Sequence, residues 1–250
     1  MGNEVKIDEA AALLEREKRC VALTGAGISV PSGIPDFRSE GGLWDIFRPE
    51  EYATSEAWNS NPAKVWDMFR VVGKMLLHSP PNPAHTALGE LESMGIVDAV
   101  VTQNIDGLHQ AGGSKNVIEF HGNGRDLVCT QCGRELSEEE ELAILQREGP
   151  GTCPVCEGIA RPQVVLFGDP IPIRAMAQSM AAVQSCRTLL VIGTSGMVAP
   201  ASILPYEARK AGANIVEINL SSTPISSIAD ISILESVEKA LPAIVSKIRR

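Results

Sequence analysis

The sequence predicts an α/β fold in which a doubly wound parallel sheet carries a second, smaller lobe. Short, near-continuous apolar runs recur along the chain, as is typical of parallel strands that are covered on both faces. Helical segments separate many of these runs. Two stretches interrupt this alternation, and the second of them carries four cysteines in two pairs.

The elements follow in chain order from apolar periodicity and helix caps. We expect Asp8 to cap a first helix that runs to about Lys18. Its apolar side would carry Ala11, Leu13 and Leu14. The predicted strands of the sheet are 20–24, 99–102, 117–120, 164–167, 188–192 and 215–218, and the predicted helices between them are 83–94, 172–184 and 200–211.

The two interrupting stretches predict the smaller lobe. Residues from about 36 to 94 lack a convincing strand but hold a helix with Asn61 as N-cap and Pro62 at its first position. Residues from about 123 to 162 hold the cysteine pairs and an acidic helix that begins near Ser137. We expect the two stretches to pack together, with a ligand cleft beside the carboxyl ends of the strands.

Residues 25–39 form a glycine-containing segment directly after the first predicted strand, where a nucleotide-binding α/β domain places its phosphate loop. Gly25 and Gly27 lack a Cβ atom, which lets backbone N–H groups approach phosphate oxygens. Val30 occupies the third glycine position of the dehydrogenase pattern G-x-G-x-x-G, and two prolines disfavour entry into a long helix. The segment therefore predicts a loop that wraps around a dinucleotide.

Polar residues also follow several of the other predicted strands. Gln103, Asn104 and Asp106 are suited to hold a ribose and a carboxamide, although a capped turn is the alternative explanation. Small polar loops follow two further strands at 193–195 and 217–219. Because these strand ends meet at one edge of a parallel sheet, together they favour a bound nucleotide.

Of the four histidines, His121 stands at the end of a predicted strand. A neutral imidazole at that edge can act as a general base near pH 7, and a purely structural histidine is the alternative. His78, His85 and His109 are interpreted as structural.

Four cysteines form two C-x-x-C pairs with twenty residues between the pairs. In a reducing compartment this spacing favours a tetrahedral zinc site that stabilises a segment too small for a core of its own. Two disulfides or a redox pair are the alternatives. The candidate zinc ligands are Cys129, Cys132, Cys153 and Cys156.

The net charge of −9 argues against direct nucleic-acid binding, which calls for a basic surface. It suits a lysine-rich peptide substrate and equally suits ordinary solubility. Residues 1–18 lack the apolar core of a signal peptide, and glycines and a proline interrupt the apolar stretch 188–205. We therefore expect a cytoplasmic protein that does not contact membranes.

Taken in chain order, seven motifs resemble the sirtuins, a family of NAD-dependent protein-lysine deacylases. They are GAGIS-x-x-SGIPDFRS, TQNIDGLH, a strand ending in HG, the paired C-x-x-C, RPQVVLFGD, GTS and EIN. The resemblance extends from about residue 20 to 220 and implies NAD as co-substrate and one structural Zn²⁺. It also implies a Rossmann-like NAD domain made of 1–35, 90–122 and 163–250, an NAD loop and helical module at 36–89, and a zinc-binding module at 123–162.

The resemblance assigns roles in catalysis. His121 would be the general base, with Asn104 and Asp106 as catalytic partners, and Phe37 would shield C1′ of NAD from water. The acyl-lysine oxygen would attack C1′ and nicotinamide would leave. His121 would then help to activate a ribose hydroxyl, giving deacylated lysine and O-acyl-ADP-ribose. The residues implied to bind NAD are Gly25, Ala26, Gly27, Ser29, Ile34, Asp36, Phe37, Arg38, Trp44, Gln103, Asn104, Ile105, Asp106, Gly193, Thr194, Ser195, Asn219, Leu220 and Val237.

The resemblance also implies an acyl-lysine peptide that lies as a strand between residues 167–169 and 196–198. Three residues of this chain depart from the family pattern, and these departures bear on peptide preference and reaction rate. Asp169 stands where glutamate is common, Gly196 where a larger apolar residue is common, and Asn123 where serine or threonine is usual.

The acyl group is predicted from one helix. Phe69 and Val72 replace the Tyr-x-x-Arg pair of sirtuins that remove succinyl or malonyl groups. Without that arginine a second carboxylate would be buried unpaired, so we expect acetyl or longer apolar acyl groups. The residues implied to contact substrate are Phe69, Val72, Phe167, Gly168, Asp169, Met197 and Val198.

Three other functions remain open on the sequence. A protein mono-ADP-ribosyltransferase would use the same cofactor but leave a label from NAD on its acceptor. An NAD dehydrogenase conflicts with the interrupted glycine pattern. A non-enzymatic module that senses NAD or ADP-ribose would not require a base such as His121.

Overall fold

A six-stranded parallel sheet forms the centre of the computed structural model, which describes residues 2–249. A two-stranded antiparallel sheet lies outside it. The strands are β1 (Cys20–Thr24), β2 (Val97–Thr102), β3 (Val117–Glu119), β4 (Gly122–Cys129), β5 (Ala160–Val164), β6 (Thr188–Ile192), β7 (Asn214–Asn219) and β8 (Ile231–Leu234). The α-helices are α1 (Asn3–Glu17), α2 (Leu43–Ile46), α3 (Pro49–Tyr52), α4 (Ser55–Ser60), α5 (Pro62–His78), α6 (Pro83–Ser93), α7 (Leu108–Ala111), α8 (Glu138–Gln146), α9 (Ile173–Ser185), α10 (Leu204–Lys210) and α11 (Val237–Ile248).

The order of strands in the large sheet is β3-β2-β1-β6-β7-β8, and every neighbouring pair is parallel. From β1 the chain adds strands on one side and then returns to place β6 on the other. The switch point of the sheet therefore lies between the carboxyl ends of β1 and β6, which is where open α/β sheets bind ligands. This arrangement confirms the predicted doubly wound fold.

Helices cover both faces of the sheet, so successive residues of β1 enter two different cores. Ala22 packs in the core below α1, α6 and α11, together with Leu14 and Leu88. Val21 and Leu23 pack in the opposite core below α9 and α10. All five residues of β1 and of β6 are buried, which explains why these strands are continuous apolar runs in the sequence.

A third core joins the two interrupting stretches of the chain, as predicted. Phe47, Trp58 and Phe69 from the helical stretch pack with Leu127 and Ile144 from the cysteine-bearing stretch. The indole Nε1 of the buried Trp66 donates a hydrogen bond of 2.9 Å to the carbonyl oxygen of Ala160. Apolar burial and this bond fix α5 against β5.

The N-cap predicted at Asn61 and the helix predicted to begin near Ser137 are both present. The Asn61 side chain accepts the Lys64 N–H at the start of α5. Ser137 and Glu140 form a capping box at the start of α8. The first helix differs from the prediction, because α1 begins at Asn3 and Asp8 lies inside it. Asp8 instead forms a 2.6 Å ion pair with Lys247 of α11.

The predicted sheet strand 164–167 is wrong. β5 ends at Val164 and pairs antiparallel with β4, outside the large sheet. Leu166 enters the third core instead, so burial in the smaller lobe explains this apolar run. The predicted helix 200–211 is in fact a 3₁₀ turn at Ala201–Ile203 followed by α10.

β4, β8 and α11 were not predicted from the sequence. α11 contains Pro242 in its interior, which normally argues against a helix. Burial of Leu241 and Ile244 against the sheet stabilises it nevertheless. Among residues 2–249, no helix combines the length and the apolar character needed to cross a membrane.

Candidate active site

The glycine loop after β1 folds into two 3₁₀ turns, Ala26–Ile28 and Val30–Ser32, and not into a long helix. The Gly25 N–H donates to Ile192 O over 3.0 Å, and the Gly27 N–H donates to Gly193 O over 2.8 Å. A Cβ on Gly27 would lie 2.8 Å from that same oxygen. These glycines are therefore required for contact with the loop after β6, and their own N–H groups are already bonded within the protein.

A buried polar cluster joins the glycine loop to the loop after β2. The Ser29 hydroxyl donates a 2.7 Å hydrogen bond to Asp106 Oδ2. The Asn104 amide donates to Ser29 Oγ and to Gly25 O, both at 3.1 Å. Asp106 Oδ1 accepts the Leu108 N–H at 2.9 Å. Ser29 and Asn104 are 75 positions apart in the sequence, yet their side chains are hydrogen-bonded. The two motifs therefore meet at the carboxyl ends of neighbouring parallel strands, as predicted.

His85 and His109 lie behind this cluster. His85 Nδ1 accepts the Asn82 N–H, and its Nε2 is 3.4 Å from Ser29 Oγ. His109 Nε2 is 2.8 Å from Thr24 Oγ1. Burial lowers the pKa of His85 to about 4 and that of His109 to about 3, so both rings are neutral at pH 7. The contact between His85 and Ser29 was missed, because sequence spacing gives no sign of it.

His121 stands just beyond β3 at the same edge of the sheet. The fully buried ring of Phe120 anchors this position, and His121 Nδ1 lies 3.1 Å from the carbonyl oxygen of Gln103. Since that oxygen can only accept, Nδ1 carries the proton and Nε2 keeps its lone pair. Burial lowers the pKa of His121, with the Gln103 carbonyl opposing, so the ring favours the neutral form. A neutral imidazole with a free Nε2 can accept a proton.

Gly122 has a positive φ of 73°, and a Cβ there would lie 1.8 Å from the backbone oxygen of Gln163. We expect Gly122→Ala to lower the free energy of unfolding by about 3 kcal/mol or more, because β4 and β5 must separate to admit the methyl group. Gly212→Ala is the matched control, since Gly212 has a φ of +91° but open space within 4 Å where a Cβ would stand. That variant should lose about 1 kcal/mol from backbone conformation alone. Equal losses for the two variants in urea unfolding would contradict the steric argument.

The loops after β6 and β7 close the other side of the site. Gln103 Nε2 donates to Thr194 Oγ1 over 2.9 Å, and Asn219 Nδ2 donates to Thr194 O over 2.9 Å. Arg38 Nη1 donates to Ser195 Oγ over 3.2 Å. Loops from β1, β2, β6 and β7 are therefore held together by side-chain hydrogen bonds at the switch point.

Asp36 shapes the segment that follows the 3₁₀ turns. Its carboxylate accepts the backbone N–H groups of Arg38 and Ser39 and the Ser39 hydroxyl. Burial raises the pKa of Asp36, but the hydrogen bonds from Ser39 and Arg38 outweigh it and hold the pKa below its ordinary value. The carboxylate is thus a turn-forming group.

The remaining residues implied to bind NAD differ in their backbone hydrogen bonds and in their burial. The Ile34 N–H donates to Ser29 O over 3.4 Å, and the Ile105 carbonyl accepts the Gly124 N–H over 2.8 Å. Leu220 is 75% exposed beside Asn219. Val237 is buried in the core at the first turn of α11, so its side chain packs against the sheet and not into the site.

Three aromatic rings extend from the segment that follows the two 3₁₀ turns to the segment after β5. Phe37 and Trp44 have ring centroids 4.9 Å apart, and Trp44 and Phe167 have centroids 6.2 Å apart. Phe167 is 45% exposed, and Met197 of the predicted peptide site is 67% exposed. Val198 lies next to Met197, and its carbonyl accepts the Ser202 N–H at 2.9 Å. These apolar groups suit contact with an apolar part of a substrate.

Two of the three departures from the family pattern have a structural reason. Gly196 has a φ of +64°, and a Cβ there would lie 2.8 Å from Ile225 Cγ1. The Asn123 side chain accepts the N–H groups of Arg125 and Asp126, which caps the turn inside β4. Both residues therefore fit the local backbone of this chain.

The four paired cysteines converge, with all four sulfur atoms within 4.8 Å of one another. Cys129 Sγ is 3.4 Å from Cys156 Sγ, and Cys132 Sγ is 3.9 Å from Cys153 Sγ. These separations exceed a disulfide bond of about 2.0 Å and suit sulfurs that each lie about 2.3 Å from one tetrahedral Zn²⁺. Four thiolates would fill the coordination sphere, so such a zinc is structural.

The fold and this strand-end site define a doubly wound α/β protein with a polar binding site at its switch point and a cysteine-bearing lobe beside it. A sequence model described as the Sir2 family matches residues 25–200. The chain belongs to the Sir2 family, and the resemblance to the sirtuins is confirmed.

Individual relatives match over nearly the whole chain. An NAD-dependent protein deacylase of Pyrococcus abyssi is 42% identical over 246 residues, which is 98% of each chain. NAD-dependent protein deacetylase 1 of Pyrobaculum aerophilum is 43% identical over 244 residues, 98% of this chain and 95% of the relative. A structure solved for the mechanism and regulation of Sir2 enzymes superposes with a TM-score of 0.92 and 40% identity over 99% of both chains. A Sir2 structure with a bound myristoylated histone peptide gives a TM-score of 0.84 and 36% identity, covering 99% of this chain and 98% of the other.

Proposed function

We propose that this protein is an NAD-dependent protein-lysine deacylase that converts acyl-lysine, NAD and water to lysine, nicotinamide and O-acyl-ADP-ribose. The observation that carries the proposal is the free Nε2 of a neutral His121 at the same sheet edge as the Ser29–Asn104–Asp106 cluster. The relatives named above, which share about two-fifths of the sequence, support the same reaction class.

The chemistry of the side chains at the switch point fits NAD. The side-chain amide groups of Gln103, Asn104 and Asn219 suit ribose hydroxyls and a carboxamide, and Arg38 beside Ser195 offers a cation to phosphate. Asp106 and Ile105 would hold the carboxamide. Bound NAD would supply the ribose C1′ that the acyl oxygen attacks, with nicotinamide as leaving group.

The residues of the chain would control water and protons in this reaction. Phe37, whose ring packs against Trp44, would cover the reacting ribose, because exclusion of water lets a weak amide nucleophile succeed. His121 Nε2 would take the proton from a ribose hydroxyl. The peptide would lie as a strand between Phe167–Asp169 and Gly196–Val198, with the zinc outside the chemistry.

The direct test is mass spectrometry of the products formed from NAD and an acetyl-lysine peptide. We expect free lysine peptide, nicotinamide and O-acetyl-ADP-ribose in equal amounts. ADP-ribose retained on the peptide would instead support a mono-ADP-ribosyltransferase, and NAD binding without turnover would support a sensing module. We also propose that the protein acts in the cytoplasm, where thiols stay reduced for zinc, and without direct nucleic-acid or membrane contact.

Acyl preference gives a separate prediction. We expect wild-type kcat/KM to be at least about tenfold higher on acetyl-lysine than on succinyl-lysine peptide, because no cation is supplied from positions 69 and 72. Phe69 is buried against the rings of Trp58 and Trp66, at centroid distances of 6.0 Å and 5.8 Å. The neighbouring Arg70 is already engaged by Asp67 and by the carbonyl of Gly149.

The double variant Phe69→Tyr/Val72→Arg should raise the succinyl-to-acetyl ratio of kcat/KM. Val71→Arg is the matched control. Val71 is 38% exposed on the same helix, so an arginine there adds the same charge but directs it toward solvent. Higher wild-type turnover on succinyl-lysine than on acetyl-lysine would show the preference to be wrong.

A further inference from the structure

Residues 164–169 connect β5 of the smaller lobe to the large sheet domain and include the segment proposed to bind peptide. Asp169 closes this segment into a tight turn. Its N–H donates to Leu166 O over 2.9 Å, and its Oδ2 accepts the Leu166 N–H over 3.1 Å. Gly168 inside the turn has a φ of +91°.

Arg161 of β5 holds the turn from outside. Its Nη2 donates to Asp169 Oδ2 and to Val164 O, both over 2.8 Å. Its guanidinium carbon lies 5.2 Å from the ring centroid of Trp58 in the third core. The Arg161 and Asp169 side chains are only 17% and 22% exposed, so solvent screens this pair less than a surface ion pair.

The turn is also hydrogen-bonded to the helical part of the smaller lobe and to the residue that ends the β3 segment. The Phe167 N–H donates to Ala53 O, and Phe167 O accepts the Ser55 N–H, each over 2.9 Å. The Val165 N–H donates to His121 O over 2.9 Å. The backbone groups of Phe167 are therefore occupied, whereas both backbone groups of Gly168 are without a hydrogen bond to residues 2–249 and can pair with an added strand.

We propose that Asp169 and Arg161 are positioning residues, whose ion pair holds the 164–169 turn in the shape that accepts the acyl-lysine peptide. The proposal rests on the proposed deacylase function. An aspartate suits this position because one oxygen must reach both the guanidinium and an N–H group three residues earlier in the same turn. We expect the ion pair to affect peptide binding and not NAD binding. Its contacts are with Val164, Leu166 and Trp58, which are not among the residues implied to bind NAD.

The test compares Asp169→Ala with Asp230→Ala. Asp230 is a matched control because its carboxylate likewise accepts an arginine, Arg209 at 2.8 Å, and a backbone N–H, Ile215 at 2.8 Å. We expect Asp169→Ala to raise the peptide KM about tenfold or more, with the NAD KM and kcat each within about threefold of wild type. Asp169→Glu, which keeps the charge, should fall between wild type and Asp169→Ala. Asp230→Ala should leave the peptide KM unchanged.

Circular dichroism establishes that each variant is folded at the assay temperature. If Asp169→Ala is unfolded, Arg161→Lys serves instead, since a lysine keeps the charge but lacks the planar fork that reaches two acceptors. It should raise the peptide KM about threefold or more, again without a change in the NAD KM. A folded Asp169→Ala or Arg161→Lys protein with the wild-type peptide KM would overturn the positioning role. Absence of wild-type turnover would overturn the deacylase function itself, which separates the two failures.

Discussion

Replacing His121 by alanine is expected to lower the rate of NAD-dependent deacylation by about 10² to 10⁴-fold while NAD binding is retained. His121 Nδ1 is held by the Gln103 carbonyl, which leaves Nε2 as the proton acceptor. Burial lowers the pKa of the ring, which favours the neutral form that a general base requires. Alanine removes the acceptor without touching the Ser29–Asn104–Asp106 cluster.

The measurement is product formation at saturating NAD, with NAD affinity followed by calorimetry. His78→Ala is the control, because His78 is exposed at the end of α5 and its Nδ1 bonds to Lys74 O within the same helix. Full activity of the His121 variant would exclude this residue from the mechanism. A loss of NAD binding as large as the loss of rate would instead indicate a role in the binding site.

Removal of zinc is expected to have the largest effect on stability. Structural zinc contributes apparent binding energy on the order of 10 kcal/mol, which is comparable to the whole stability of a domain. Cys129 and Cys153 are members of the third core, beside Trp58 and Leu166. We therefore expect loss of the metal to unfold the smaller lobe and to abolish activity with it.

Cys132→Ala tests this expectation, since Cys132 is an exposed member of the cluster. We expect one zinc per wild-type chain by a colorimetric chelator assay, and loss of that zinc together with a lower melting temperature in the variant. Cys186→Ala is the control, because Cys186 is a buried free thiol outside the cluster. Wild-type zinc content and stability in Cys132→Ala would contradict a four-sulfur site.

The parts of the fold that can be predicted from the sequence are those set by local chemistry. The predicted bounds of β1 and β6 agree with the observed ones, because burial on both faces demands uninterrupted apolar residues. The cap at Asn61 and the start of the helix near Ser137 are predictable because residues within three positions of each other decide them. The zinc ligands are predictable because C-x-x-C spacing alone brings two sulfurs together.

The errors arise where distant contacts decide the outcome. The run 164–167 is apolar because Leu166 enters the core of the smaller lobe. From the sequence alone, such an apolar run cannot be distinguished from a strand buried in the large sheet. α11 forms despite Pro242 because burial against the sheet outweighs the helix-breaking residue. Gly25 and Gly27 are glycines because the loop at Gly193–Thr194, far along the chain, packs against them.

Strand periodicity, metal-ligand spacing and motif order can be recognised in the sequence alone. They were enough to predict the doubly wound fold class, the family, the cysteine cluster and the motifs that meet at the sheet edge. How those motifs bond to one another depended on the folded protein. Folding placed His85 behind Ser29, directed Nδ1 of His121 to the Gln103 carbonyl, and joined Arg161 to Asp169 in the 164–169 turn. Hydrogen bonds of this kind depend on angstrom-scale distances between residues far apart in the chain, and such distances are fixed only when the cores pack.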